Sequence, residues 1–211
     1  MDSSSSDSSS GATGCARGDS QWPFLDQLAS SAATPGGGGA AALAGALAVA
    51  LGRMAGAITA KSKKFRERRQ TMAELEAKAA DLQRQILQLI AADADNFNAL
   101  RLALKQKTAS DLDYIRSANA PLTIMWLDTR IAYLLLDYLE QTSPGLLSDV
   151  GCAAALCKAS LEAAELNVLV NARYLRDQGE AKALVGEASD LHQEVFRACD
   201  TILTAVLAKL N

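Results

Sequence analysis

The sequence is poor in the residues that metal centres, disulfide frameworks and β-sheets require. One histidine and four cysteines stand among 211 residues. Cys15, Cys152, Cys157 and Cys199 make no C-x-x-C pair and have no neighbouring histidine, which argues against a zinc site and against a disulfide framework. The single His192 lies in a charged helical stretch and is expected at the surface, so no metal is expected. Prolines number four and aromatic residues make up 5%. With few β-branched residues as well, strands are not expected and helices are expected almost throughout. Neither sign of charge dominates: 21 Lys and Arg against 24 Asp and Glu leave a net charge of −3, so neither nucleic acid nor a membrane surface is expected as a partner. The apolar run Ala40–Leu51 ends at Arg53 and is too short to cross a bilayer. Met1-Asp2-Ser3-Ser4-Ser5-Ser6-Asp7 lacks the basic and apolar regions of a secretory signal, and a cytoplasmic chain is expected.

What is abundant is alanine and leucine, with 49% of the chain hydrophobic. That is enough for one domain with a real core, here residues 21–211. The Ser, Gly and Asp composition of residues 1–20 cannot build a core and is expected to be disordered; Arg17-Gly18-Asp19 within it carries no expectation. The domain is organised around Thr34-Pro35-Gly36-Gly37-Gly38-Gly39, which opens into an Ala- and Leu-rich helix. Pro35 forces a turn. Glycine admits backbone angles closed to other residues and lets a ligand or another chain approach the backbone. A glycine loop at a helix N-terminus also presents unpaired N–H groups, a seat for an anion or an oxygen-rich ligand. The alternative is a glycine-rich lead-in to a buried helix that binds nothing.

In chain order, Trp22–Ala29 reads as a short amphipathic helix with Phe24, Leu25 and Leu28 on one face. On the helix after the glycines, Gly45, Gly52 and Gly56 fall near one side and predict a close helix neighbour, within the chain or from a second subunit. Lys61–Arg69, with Lys63 and Lys64, is either a solvated helix face or a docking surface for a polyanionic substrate. The sharpest signal follows. Met72, Leu75, Ala79, Leu82, Ile86 and Leu89 step by three and four, the buried seam of a bundle helix. The same step arrives at Asp93, then Phe97, Leu100 and Leu104. A carboxylate on an inward stripe is costly, and its burial raises its pKa toward the range of a general acid or base. Alternatively the helix breaks near Asp93 and the acid caps the next one. Asp95 is expected to face solvent. Lys105–Ala118 reads as a polar stretch with one brief helix, and Pro121 as the start of a central apolar helix. Ser148 and Asp149 resemble an N-cap pair for a helix Val150–Arg173. Asn167 and Asn171 lie one turn apart on it and need hydrogen-bond partners, as a core network or as ligand-facing groups. A last helix, Glu180–Leu210, closes the bundle through Leu184, Leu191, Val195, Ile202, Val206 and Leu210.

Several of these stretches together resemble the cyclodeaminase/cyclohydrolase family of folate one-carbon enzymes. The resemblance runs from about Phe24 to Asn211. It is carried by Phe24–Ser31, Thr34–Ala42, Lys63-Lys64-Phe65, Asp93-Ala94-Asp95-Asn96-Phe97, Ala120-Pro121-Leu122, Ser148-Asp149-Val150-Gly151 and Asn167-Val168-Leu169-Val170-Asn171. It implies an all-α, multi-helix bundle working as a homodimer, with folate in a cleft near the dimer interface. It also implies that Asp93, in a D-x-x-x-F arrangement with Phe97, is the general acid/base. There it would activate the water that attacks a methenyl carbon, or shuttle a proton as ammonia leaves. Substrate contacts would come from Pro35, Gly36, Gly37, Gly38, Gly39, Lys63, Lys64, Phe97, Ser148, Asp149, Asn167 and Asn171. The resemblance requires no metal and no redox cofactor; a tetrahydrofolate derivative would be the substrate. Lys61-Ser62 stands where the family usually has G-K, Thr142-Ser143 where it has G-N, and the L-P-K loop after the aspartate helix is missing. A retained acid in an altered pocket leaves a second reading open, a cyclase, hydrolase or deaminase acting on a non-folate imine or iminium.

Overall fold

A computed structural model describes residues 22–210; the expected disordered tail, with Cys15 and Arg17-Gly18-Asp19, lies outside them, as does Asn211. The described residues form six α-helices and no strand: α1 (Pro23–Leu28), α2 (Gly37–Lys61), α3 (Arg69–Gln106), α4 (Asp111–Gln141), α5 (Leu147–Ala172) and α6 (Gln178–Leu210), with 3-10 turns at Lys63–Arg68 and Pro144–Leu146. The all-α bundle is as expected. Helix α2 packs on α3, α4 and α5, while α6 packs on α4 and α5.

The small residues of α2 explain its central place. A Cβ on Gly45 would overlap Ile86 Cδ1 and lie 2.9 Å from Ser160 Oγ, and one on Gly56 would lie 2.7 Å from the Tyr138 ring. The close neighbours of α2 are therefore α3, α4 and α5 of the same chain. The helix runs on through Arg53 to Lys61, so its 25 residues are long and apolar enough to span a membrane by length and composition, longer than the run Ala40–Leu51 suggests. Half of that apolar window is buried in the bundle.

Helix α3 continues without a break through Asp93, and the cap alternative fails. Met72, Leu75, Ala79, Leu82, Ile86, Asp93 and Leu100 form its buried stripe. Two boundaries differ from expectation. Lys105–Ala118 contains no separate helix: α3 stops at Gln106, and α4 starts at Asp111 and passes through Pro121. The start of α4 is set by Asp113 Oδ2, which accepts the Ser110 N–H at 2.9 Å and the Ser110 hydroxyl at 2.7 Å. Ser148 and Asp149 sit inside the first turn of α5, and Leu146 is the capping position. Several exposures also differ, among them Phe97 at 39% and Leu104 at 47% at the end of the α3 stripe. Leu25 of α1 is 49% exposed and Leu210 63%, while Leu191, Val195, Ile202 and Val206 are buried as expected. His192 is half-buried, 2.7 Å from Glu165 Oε2 and stacked on Phe196.

A second buried acid ties the core together. Asp128 is fully buried, and burial pushes its carboxyl well above the usual carboxylate range. Ser160 Oγ lies 2.9 Å from both Asp128 Oδ2 and the Ala41 carbonyl. One hydroxyl has one proton, so a neutral Asp128 lets both contacts be hydrogen bonds. That links α4, α5 and α2 beneath the candidate site.

Substituting Gly45→Ala forces Ile86 and Ser160 apart and is expected to cost about 1–3 kcal/mol, as overpacked cores do. Gly186→Ala on exposed α6, where nothing lies within 4 Å of the new methyl, is expected to be neutral or to add up to about 1 kcal/mol. Urea unfolding of the two variants checks the pair; equal midpoints would refute the close-packing account.

Candidate active site

The first turn of α2 meets α3 and α5 at one end of the bundle. The Thr34–Pro35 peptide is cis, Gly36 is the extended N-cap residue, and Gly37, Gly38 and Gly39 are already helical. None of the described glycines has a positive φ. The glycine block thus serves close approach rather than unusual backbone angles, the part of the glycine argument that the structure retains. A Cβ on Gly38 would overlap Asp93 Oδ1, and one on Gly37 would lie 2.9 Å from Asn167 Nδ2. Two consecutive missing side chains make room for the carboxylate of α3 and the amide of α5.

Asp93 is 9% exposed. Burial pushes its carboxyl above the ordinary carboxylate range, and a hydrogen bond from the Gly39 N–H acts in the opposite direction. The N–H groups of a first helical turn lack partners within their helix and carry partial positive charge, so the backbone offsets part of the desolvation of the ionised form. Asp95 is exposed, as expected.

In front of Asp93 lies a cavity of about 390 Å3. Thr34, Gly36 and Gly37 form one wall, Asp93, Phe97, Leu100 and Leu104 a second, and Tyr114, Ser117 and Pro121 of α4 a third. Asn167, Val170, Asn171 and Tyr174 complete it. Asn167 Nδ2 donates to the Ala163 carbonyl at 2.8 Å and Asn171 Nδ2 to that of Asn167 at 2.7 Å. Each amide thereby keeps its oxygen and a second N–H hydrogen for a ligand. Pro121 has no N–H to offer the Ser117 carbonyl one turn earlier, and both residues line the cavity. The wall is apolar with a few convergent polar groups around one buried acid, the usual make-up of a small-molecule site.

Of the expected site residues, Gly36, Gly37, Asp93, Phe97, Asn167 and Asn171 line this cavity. Gly38 and Gly39 touch it through Asp93, and Pro35 packs beside the Gly39 position. Lys63, Lys64, Ser148 and Asp149 are not brought to it. Lys63 and Lys64 lie in the 3-10 turn at the far end of α2, roughly 35 Å along that helix at about 1.5 Å per residue. Ser148 and Asp149 start α5, whereas Asn167 and Asn171 sit near its end. Arg68 Nη1 donates to the Gln141 carbonyl at 2.7 Å and the Ser143 N–H to Thr59 Oγ1 at 3.0 Å, which gathers these residues at the opposite end. Tyr114, Ser117, Pro121 and Tyr174 were not expected as site residues. Their signal is helical spacing: residues 114, 117 and 121 share a face of α4, and Tyr174 follows Asn171 by one turn.

A family model described as formiminotransferase-cyclodeaminase matches residues 21–190. The chain belongs to this family. It is 32% identical over 199 residues to a methenyltetrahydrofolate cyclohydrolase of Methylorubrum extorquens, covering 89% of this chain and 96% of that protein. Its fold resembles the crystal structure of formiminotetrahydrofolate cyclodeaminase from Thermotoga maritima with a TM-score of 0.80, at 23% identity and over 89% of this chain and 97% of that one.

Asp93 also sets a pH signature on stability. Its native pKa lies above the unfolded value, so the folded chain binds more protons between the two. Its contribution to stability therefore falls as pH rises from about 4 through the raised native value. Asp93→Asn, neutral throughout, is expected to gain stability relative to wild type across that window and to hold the gain at neutral pH. Thermal unfolding at several pH values measures this, and a gap that narrows toward neutrality would contradict it.

Proposed function

We propose that the chain is a methenyltetrahydrofolate cyclohydrolase with Asp93 as its general acid/base and the cavity in front of Asp93 as its folate site. What carries the reading is a buried carboxylate, hydrogen-bonded by glycine backbone at a cavity wall, in a chain related over 89% of its length to a protein of that name. The methenyl bridge of such a substrate is a delocalised N–C–N cation, and an ionised Asp93 in a partly dry cavity favours its binding. Water adds to the bridge carbon and gives a proton to Asp93. The carbon–N5 bond of the adduct then breaks, a proton from Asp93 reaches N5, and the formyl group remains on N10. One water is consumed and one proton is released to solvent. The open valences of Asn167 and Asn171 suit the polar edge of the bicyclic head, and Phe97 and Pro121 suit its faces.

The alternative substrate, a non-folate imine or iminium, is not favoured, because the relative that matches this chain over nearly its whole length is named for a folate. A homodimer is part of the proposal. Leu47, Met54 and Ile58, spaced by seven and four on α2, are 48%, 40% and 48% exposed and form an apolar row that a second copy would cover. A cytoplasmic setting, and a reaction with no metal or redox cofactor, belong to the same reading.

Purified protein is expected to accelerate the loss of methenyl absorbance. Asp93→Asn is expected to lower kcat by about 10²- to 10⁴-fold, the usual contribution of a general acid/base, while still binding a reduced folate. The acid limb of the wild-type rate profile is expected above the ordinary aspartate range and absent from the variant. An Asp93→Asn enzyme as fast as wild type would refute the assignment. For the dimer, Met54→Glu is expected to shift sedimentation from two copies to one; an unaltered profile would place the interface elsewhere.

A further inference from the structure

A second hollow adjoins the Asp93 cavity. It measures about 310 Å3 and is lined by Leu104, Lys107, Ala109, Tyr114, Tyr174 and Arg176. Leu104, Tyr114 and Tyr174 line both spaces. Between them stand Leu104 and the stacked tyrosine pair, its ring centroids 5.4 Å apart and its planes inclined by 18°.

The two spaces differ in charge. The inner one holds a single carboxyl, Asp93, whereas the outer one holds two cations and no acid. Lys107 and Arg176 make no ion pair among the described residues. The acids nearest in sequence are otherwise engaged. Asp111 Oδ2 accepts the N–H groups of Arg176 and Asp177 at 2.9 and 2.8 Å, and Asp177 Oδ1 accepts those of Gly179 and Glu180 at 2.8 and 3.2 Å. The first pair of bonds ties the α5–α6 connection to the start of α4, which sets Tyr174 against Tyr114 and Arg176 beside the hollow. Lys107 ends α3 in the left-handed conformation, φ 59° and ψ 30°. Glycine is the usual residue there because it has no Cβ to crowd the next carbonyl. Stability alone does not favour lysine at this position, and its ammonium group is what it adds.

We propose that Lys107 and Arg176 bind the carboxylates of the substrate's glutamyl tail, with the substrate's aromatic linker crossing the Tyr114–Tyr174 pair. The inference rests on the folate reading of the Asp93 cavity. It matches an elongated ligand end for end: a cationic head beside the buried acid, a planar ring over the tyrosines, and a dianionic tail between two unpaired cations. Exposed charges act on capture rather than on the chemical step, and their effect weakens with salt.

The test compares wild type with the double variant Lys107→Gly, Arg176→Ala. The glycine suits the left-handed backbone, and Arg176 is exposed, so circular dichroism is expected to be unchanged. Two substrates are used: 5,10-methenyltetrahydrofolate, and its dimethyl ester, whose tail is uncharged. With the diacid the variant's KM is expected to rise roughly three- to twentyfold, the range for losing two exposed ion pairs, with kcat within about twofold. With the ester, wild type and variant are expected to share one KM. Added salt is expected to raise the wild-type KM for the diacid and leave the variant's unchanged. An unchanged KM for the diacid, or an equal rise for acid and ester, overturns the tail assignment while the cyclohydrolase reading stands. Failure of wild type to convert the diacid removes both.

Discussion

Asp93 sits so close to the first turn of α2 that no residue larger than glycine fits at position 38 without displacing its carboxyl group. This contact makes the rest of the arrangement possible. An ionisable group inside a helical bundle needs a partner, and arginine or lysine is the common choice, with a guanidinium or ammonium that fixes the acid as its anion. Here the partner is main chain. A backbone N–H favours the ionised form while burial opposes it more strongly, and the balance raises the carboxyl above its ordinary range. Such a poise suits a group that must take and return a proton within one cycle.

The cost of the contact is carried elsewhere in the fold. Helix α2 gives up side chains at Gly37, Gly38, Gly45 and Gly56 to admit its neighbours. Each removes helix propensity and apolar area, and packing on three helices offsets the loss. Beneath the cavity, Asp128 and Ser160 hold α4 and α5 to the Ala41 carbonyl. That fixes the angle at which the first turn of α2 faces Asp93, because Ala41 is only two residues beyond Gly39.

Much of this was legible in the chain. The three-and-four step from Met72 to Leu104 placed Asp93 inward because the helical period is a geometric constant, and the observed buried stripe includes it. Whether the helix broke there was not legible, since aspartate is both a tolerated core residue when bonded and a favoured cap. Pro121 misled for the opposite reason. Its local preference is for a helix start, yet the fold accepts it well inside α4, where the missing donor falls at the cavity wall. The Asn pair was visible as an oddity, but its facing depended on where α5 lies. Tyr114 lies in α4 and Tyr174 in the α5–α6 connection, and they meet because Asp111 holds that connection against the start of α4, which no local pattern encodes. Lys63, Lys64, Ser148 and Asp149 shared a motif set with the cavity residues but not a location, because 25 residues of straight helix separate the two ends of α2.

Because the acid's receptor is peptide backbone, its hydrogen-bonding character does not change with the identity of residue 39. A side chain at position 38 obstructs the carboxylate before it can offer it a new charge. The side chains free to vary without touching that contact are the aromatic and basic ones around Tyr114, Tyr174, Lys107 and Arg176. Changes at these four positions alter the size and charge of the opening beside the cavity and leave the carboxylate and its backbone partner as they are.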